Sequence, residues 1–210
     1  MLRALRWVSL ATWLALLAVA FLTAPASDPN QNEVTMKLLT FQLDGINQSF
    51  VALFNLMGVW PLLFLVMLGF DTTEQRVWRW PFLLGSFILG AFALLPYLVL
   101  RRWGAPKRAP TVKWLRALGS RTFAVMLLVG AGAMCAWFIV GDVAAFARLF
   151  HTNQFAYVMS FDFIACTVAG VLLCIEDASV RPAAPGWAWS IGSAVGFSVR
   201  LVQAPLARLR

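Results

Sequence analysis

Charged side chains are scarce in this chain of 210 residues, where they make up 12% while hydrophobic residues make up 61%. Ordinary soluble domains carry about 25% charged residues, so this chain has too little charge to cover a water-exposed globular surface. Disorder is excluded as well, because so apolar a chain does not stay solvated. The composition predicts an all-α integral membrane protein with one domain over residues 1–210, in which about 20 apolar residues form each crossing.

Residues that carry catalysis or bind metals are also few. The single histidine, His151, stands in a short loop before the fifth apolar segment, which favours an interfacial position. The cysteines Cys135, Cys166 and Cys174 lie in apolar runs without CxxC spacing, which favours free structural thiols over metal ligands or disulfides. The sequence shows no nucleophile–base pair, paired catalytic acids or phosphate-binding glycine loop. We therefore expect neither an enzyme nor a metal site.

The apolar segments predict a bundle of five to six transmembrane helices. The spans are expected at residues 7–23, 47–70, 80–100, 122–141 and 154–175, with a weaker stretch at 187–201 that is a sixth span or an interfacial or re-entrant piece. The Ala-Pro-Ala-Ser sequence at 24–27 resembles a signal-peptide cleavage site, but we favour an uncleaved first span. Val34, Leu38 and Phe41 recur at helical spacing and predict a short amphipathic surface helix over 33–44.

Basic residues concentrate in the loop at 101–121, which holds seven of the seventeen lysines and arginines and no acid. Short loops of this kind stay on the cytoplasmic side. The net charge of +8 therefore reflects topology rather than nucleic-acid binding, which would need a soluble module with interleaved aromatics and glycines. With six spans the two faces carry nine and eight basic residues. Placing the loop on the cytoplasmic or stromal side then leaves Arg3 and Arg6 outside.

Asp162 is the most informative polar residue of the predicted spans. A carboxylate inside an apolar span costs about 2.5–3.5 kcal/mol on insertion scales and normally faces a protein partner. Its neighbours on the same helical face are small residues that allow another helix to approach, namely Ala165, Cys166, Ala169 and Gly170. We expect Asp162 in a helix–helix seam, either as a structural hydrogen-bonding group or protonated acid, or as part of a proton, ion or ligand path.

The second span carries a polar stripe, because Gln48 and Asn55 stand seven residues apart on one helical face. Small residues elsewhere predict further surfaces for helix packing. These contacts are expected at Gly58, Gly90, Gly192 and Gly196.

Prolines and terminal acids mark the ends and kinks of the spans. Pro61 and Pro96 each lack the N–H of a helical hydrogen bond, which predicts a kink and a freed carbonyl one turn earlier. Glu176 and Asp177 end the fifth span, where the helix dipole disfavours anions. We expect these two acids to pair with arginine or lysine from the basic loop and so clamp the bundle.

Sequence blocks at 45–47 (GIN), 51–61 (VALFNLMGVWP), 80–82 (WPF), 90–97 (GAFALLPY) and 158–163 (VMSFDF) occur in this order along the chain. Together they resemble a family of cyanobacterial and plastid multi-pass membrane proteins to which no activity is assigned. The resemblance implies a thylakoid or cyanobacterial plasma membrane and supplies no catalytic residues. The last segment is more polar than the family's pattern.

These observations favour an accessory subunit or assembly factor of a photosynthetic or related electron-transfer complex. Such a protein would work by helix contact with other integral membrane subunits, photosystem components included, and with membrane lipids. If chlorophyll or carotenoid binds, Asn55, Gln48 or the carbonyl freed near Pro61 would supply a ligand. The alternative is a small carrier or channel lined by Asp162 and the Gln48/Asn55 stripe, although no inverted repeat is evident.

Overall fold

The computed structural model describes residues 2–26, 31–40, 42–69, 75–104, 117–118 and 120–180, which form helices and their connections without a strand. The helices are α1 (Leu2–Ala18, continued by a π-helical turn Val19–Thr23), α2 (Gln31–Leu39), α3 (Gln48–Gly69), α4 (Trp80–Leu89), α5 (Ala91–Leu100), α6 (Arg121–Val140), α7 (Val143–Thr152) and α8 (Gln154–Val180). Within the described residues, four helices are long and apolar enough to cross a membrane: α1 with its π turn, α3, α6 and α8.

Four of the predicted spans therefore correspond to long helices. Helix α1 begins at Leu2, earlier than expected, and α8 continues to Val180, beyond the predicted end. The surface helix is present as α2, which is shorter than predicted and ends at Leu39. The segment at 187–201, with Gly192 and Gly196, lies outside the described residues, as does the basic loop from 105 to 116.

The predicted span at 80–100 is wrong, because the chain reverses direction at Gly90. A Cβ added to Gly85 would lie 3.2 Å from the Cβ of Ala93, whereas residues eight apart in one continuous helix are separated by about 12 Å. The rings of Phe82 and Tyr97 likewise approach to 5.7 Å between centroids. Helices α4 and α5 thus pack side by side as an antiparallel pair.

The two ends of this pair meet at one end of the bundle. The Gln75 side chain accepts a hydrogen bond from the Arg102 N–H (2.8 Å) and donates one to the Arg102 carbonyl (3.2 Å). Each helix has ten residues and is therefore about 15 Å long, half the thickness of a bilayer core of about 30 Å. The α4–α5 pair has the dimensions of a re-entrant hairpin, and we call it the hairpin below.

The hairpin changes which helix ends lie together. Arg3 and Arg6 at the start of α1 lie beside Arg76, Arg101 and Arg102 at the ends of the hairpin. We call this the basic end of the bundle. Helix α1 runs away from it, α3 returns to it, α6 runs away from it and α8 returns. Arg3 and Arg6 are therefore on the same side as the start of the basic loop, contrary to the expectation from six spans.

At the opposite end, hydrogen bonds join α3 to α6, and the short helix α2 packs against the bundle. The Asn47 side chain donates to the Asp142 carbonyl (2.9 Å) and the Ser49 hydroxyl donates to the Phe138 carbonyl (2.9 Å), which joins the start of α3 to the end of α6. Leu38 of α2 is buried here in an apolar cluster. On the exposed side of α2, the hydrogen bond and charge of Lys37 hold the pKa of Glu33 below its usual range.

His151 is in the last turn of α7 and not in a loop, as the sequence analysis expected. Asp142 caps this helix by accepting a hydrogen bond from the Ala145 N–H (2.8 Å). Phe146 and Leu149 pack against the apolar cluster of this end, while His151 is exposed. The cap and the spacing of the apolar side chains are the sequence signals that would have identified the helix.

Candidate functional site

The centre of the bundle holds a contact between the Asp162 carboxylate and the tip of the hairpin. Asp162 is 6% exposed, and its Oδ1 accepts a hydrogen bond from the Ala91 N–H at 2.8 Å. The Phe92 N–H also faces this carboxylate. The first N–H groups of a helix have no partner within the helix, so Asp162 of α8 caps α5 from a different helix. This confirms the expectation that Asp162 lies in a helix–helix seam with a partner.

Gly90 makes this contact possible. Its φ of +53° and ψ of −130° place it in a conformation that side-chain-bearing residues rarely adopt. A Cβ at this position would overlap the Asp162 carboxylate, with the Asp162 Cγ only 2.7 Å away. Gly90 therefore lies at a helix contact, as expected, but at a chain reversal and not on the face of a continuous helix. The same glycine allows the turn and the approach of the carboxylate.

The small residues that follow Asp162 in α8 are buried against the rest of the bundle. Ala165 is 3% exposed, and Ala169 is fully buried in the same apolar cluster as Leu94 and Leu95 of the hairpin. Gly170 is buried too. The expected packing surface is present for these residues. Gly58 is different, because it is exposed and a Cβ added to it would meet nothing within 4 Å among the described residues, so the packing contact expected there stays a prediction.

Gln48 and Asn55 do not form a polar site with Asp162. Gln48 is the first residue of α3 and is exposed. The Asn55 amide donates to the Val51 carbonyl of its own helix at 2.8 Å. The polar stripe is thus one end residue and one side chain that bonds to its own backbone.

The prolines do not interrupt their helices: α3 continues through Pro61 and α5 through Pro96. The break in this part of the chain is at Gly90. The kinks expected at the two prolines remain predictions.

A second buried contact lies at the basic end, where Arg101 and Glu176 form a fully buried ion pair. The Arg101 Nη2 is 3.0 Å from Glu176 Oε2 and 3.1 Å from Oε1, and both side chains are 0% exposed. The Gly104 N–H also donates to Glu176 Oε1, at 2.7 Å. The Arg101 guanidinium lies 5.0 Å from the centre of the Trp103 ring, a favourable cation–π distance. The pair fastens the end of α5 to α8, as expected for Glu176 and the basic loop.

In the described part of the chain, no group of three or more His, Cys, Asp or Glu side chains is placed to hold a metal ion. Comparison with protein-family models, with curated proteins and with solved structures finds no match to this chain.

The sequence identified Asp162 and Glu176 but not the particular groups that they bind. The partner of Asp162 is a backbone amide, which no pattern of side chains reveals. Arg101 is one of several basic residues in the loop, and only the position of the end of α5 beside α8 identifies it as the partner of Glu176. The hairpin had one sequence signal, a glycine ten residues from either end of the apolar segment.

Proposed function

We propose that the chain is an integral membrane protein in which α1, α3, α6 and α8 cross the bilayer and the hairpin enters it from the basic end. The length and apolar character of the four helices support this placement. Re-entrant backbone is tolerated at membrane depth where protein buries it, and Ala91 at the tip of the hairpin is fully buried.

The distribution of charge supports a cytoplasmic or stromal location for the basic end. The described cations of that end include Arg3, Arg6, Arg76, Arg79, Arg101 and Arg102, and its described acids include Glu176 and Asp177. The described cations of the opposite end are Lys37 and Arg148, which are accompanied there by Glu33, Asp44 and Asp142. With four crossings the N terminus and the start of the basic loop share one side, which removes the conflict that six spans created.

Accessibility of single cysteines tests this topology. In a variant whose native cysteines are replaced by alanine, Arg76→Cys, Arg102→Cys and Arg148→Cys are treated with a membrane-impermeant maleimide on intact and on permeabilised cells. We expect Arg76→Cys and Arg102→Cys to react only after permeabilisation and Arg148→Cys to react from outside. Reaction of Arg76→Cys and Arg102→Cys from opposite faces would contradict the re-entrant hairpin.

Within the membrane, we propose that the protein acts by contact, as an accessory subunit or assembly factor of a membrane complex. The observation that carries this proposal is that Asp162, the carboxylate predicted to lie deepest in a span, is used to join two elements of the fold. Helix α6 meanwhile exposes apolar side chains along its length, such as Met126, Val129 and Ile139, and offers them to lipid or to a partner helix.

The carrier or channel alternative gains no support from the described residues. A transport path would need polar groups that face a common space, whereas Gln48 lies at a helix end and Asn55 bonds to its own helix. A transport role would also require Asp162→Asn to abolish flux in a folded protein. Under the contact proposal, the same variant loses at most the assembly of the partner complex.

The resemblance described above extends the proposal to a photosynthetic membrane. A tagged copy in mildly solubilised host membranes, separated on a native gel and read for the tag and for chlorophyll, tests it. We expect the tag to migrate with a large pigmented complex. Migration near the protein's own size without colour would contradict an accessory role. An absorption spectrum of the purified chain without pigment bands would exclude bound chlorophyll or carotenoid.

A further inference from the structure

A cleft of about 340 Å³ opens at the basic end, between the start of α1, the segment before α4 and the segment after α5. Among the described residues that line it, five are arginines and none is an acid: the arginines are Arg3, Arg6, Arg76, Arg101 and Arg102. The density of positive charge within one small concave surface is the feature that needs an explanation.

The fold builds this cleft from three segments that are distant in sequence. Gln75 holds the backbone of Arg102 through two hydrogen bonds and so brings the two ends of the hairpin together. The Arg6 Nε donates to the Val99 carbonyl at 2.6 Å, which fastens α1 to α5. If residues 80–100 crossed the membrane as one helix, Arg76 and Arg102 would be on opposite sides and the cleft would not exist.

Only part of this charge is balanced within the described protein. The Arg101 guanidinium forms its ion pair with Glu176 behind the cleft. Arg3, Arg76 and Arg102 are exposed and reach the cleft from α1 and from both ends of the hairpin. Cations gathered in a cleft create a local positive potential that attracts an anion. Arginine is suited to phosphate in particular, because its planar fork donates parallel hydrogen bonds to two oxygens.

We propose that this cleft binds a phosphate group and that an anionic phospholipid of the surrounding membrane supplies it. The apolar side chains Leu2, Leu100 and Trp103 complete the lining, which suits the glycerol and the first acyl carbons of a lipid. The Trp103 indole donates to the Leu98 carbonyl at 2.9 Å, and tryptophan is enriched at the depth of the lipid headgroups. Basic pockets between membrane helices on the cytoplasmic side are a recognised arrangement for such headgroups.

This inference rests on the membrane placement proposed above but not on a partner complex. Membrane integration is therefore scored separately, by resistance of the chain to alkaline extraction. Binding is then measured on the purified full-length chain in a neutral detergent, with phosphatidylglycerol, phosphatidylcholine and inorganic phosphate as the probes. If alkaline extraction removed the chain from the membrane, the proposed membrane placement would be refuted. If the chain resisted extraction but bound no lipid, only the proposal that the cleft binds a lipid phosphate would be refuted.

The informative variant is Arg3→Gln/Arg76→Gln/Arg102→Gln, which removes exposed cations and leaves the Arg101–Glu176 pair intact. Arg148→Gln, an exposed arginine at the opposite end, is the matched control. We expect phosphatidylglycerol to bind the native protein in preference to phosphatidylcholine. Because each basic residue near a lipid surface contributes roughly a fivefold gain in affinity, the triple variant should bind phosphatidylglycerol roughly a hundredfold more weakly. Arg148→Gln should bind as the native protein does, and all variants should keep the native thermal unfolding temperature.

Equal binding of the two lipids by the native protein would overturn the proposal, and so would unchanged binding of phosphatidylglycerol in a folded triple variant. If the triple variant proves unfolded, the three single replacements are measured instead, and each should weaken binding roughly fivefold. Displacement of the lipid by inorganic phosphate at equal concentration would assign the cleft to a soluble phosphate and overturn the membrane as its source.

Discussion

Removal of the Asp162 carboxylate tests the central contact of the bundle. In Asp162→Ala the hydrogen bond to the Ala91 N–H disappears, and the Phe92 N–H loses the same facing oxygen atoms. Both amides begin α5 and have no partner within that helix. The site is buried, so water does not replace the carboxylate as it would at a surface.

The structure allows the size of the effect to be worked out. A buried donor that loses its partner costs about 1–3 kcal/mol. Two such donors at the start of α5 therefore predict a loss of about 2–6 kcal/mol from the free energy of unfolding. Asp162→Asn keeps one carbonyl oxygen as an acceptor, so it should lose about 1 kcal/mol, the usual net worth of one neutral hydrogen bond.

The assay is reversible unfolding in mixed micelles with increasing dodecyl sulfate, followed by tryptophan fluorescence. Ser160→Ala is the matched control, because the Ser160 hydroxyl lies on the same helix and donates to the Ala156 carbonyl of that helix. We expect Asp162→Ala to be far less stable than Ser160→Ala, with Asp162→Asn between them. If Asp162→Ala matched the control, or if Asp162→Asn were as unstable as Asp162→Ala, the capping argument would be refuted.

Three other replacements test the hairpin, the ion pair and the contact between α3 and α6. In the variant whose native cysteines are replaced by alanine, Gly85→Cys/Ala93→Cys should form a disulfide on mild oxidation, seen as loss of maleimide labelling, because the two Cβ positions lie 3.2 Å apart, close to the Cβ–Cβ distance of disulfides. Two free thiols would indicate a continuous helix. Glu176→Gln should destabilise the fold by up to about 3–5 kcal/mol, since it removes the buried carboxylate charge that lies 3.0 Å from the Arg101 guanidinium, and an unchanged midpoint in the same micelle assay would contradict this. Gly141→Ala should lower the unfolding midpoint, because its Cβ would lie 2.6 Å from the Ser49 hydroxyl. Gly130→Ala is the control and should leave the midpoint unchanged or slightly higher, because its Cβ would meet nothing within 4 Å. Equal effects of the two variants would argue against close packing at Gly141.

Much of this fold follows from patterns that are local in the chain. A run of about 20 apolar residues buries its own backbone hydrogen bonds in a helix, so α3, α6 and α8 could be predicted to within a few residues. Leu38 at helical spacing from Val34 similarly predicted α2. The single carboxylate within an apolar run predicted that Asp162 has a partner, because an unpaired one is costly at that depth.

The hairpin could not be predicted in this way, because residues 80–100 have the length and composition of a crossing helix. What distinguishes a reversal from a crossing is the set of contacts that the reversal creates. Gly85 meets Ala93, Gln75 meets Arg102, and the Asp162 carboxylate meets the amide of Ala91. The helical periodicity of a single segment predicts none of these contacts, because each one joins residues of different helices or of their ends.

The sequence by itself thus determined the all-helical class of the described protein and the position of its long helices, because hydrophobic periodicity and length are properties of single segments. Only the tertiary structure decided that residues 80–100 form two helices, that Arg3 and Arg6 lie beside the ends of this hairpin, and which groups Asp162 and Glu176 bind. The physical reason is that a backbone amide at a chain reversal becomes a binding partner only after the chain has turned. The same reversal gathers arginines from separate segments into one cleft.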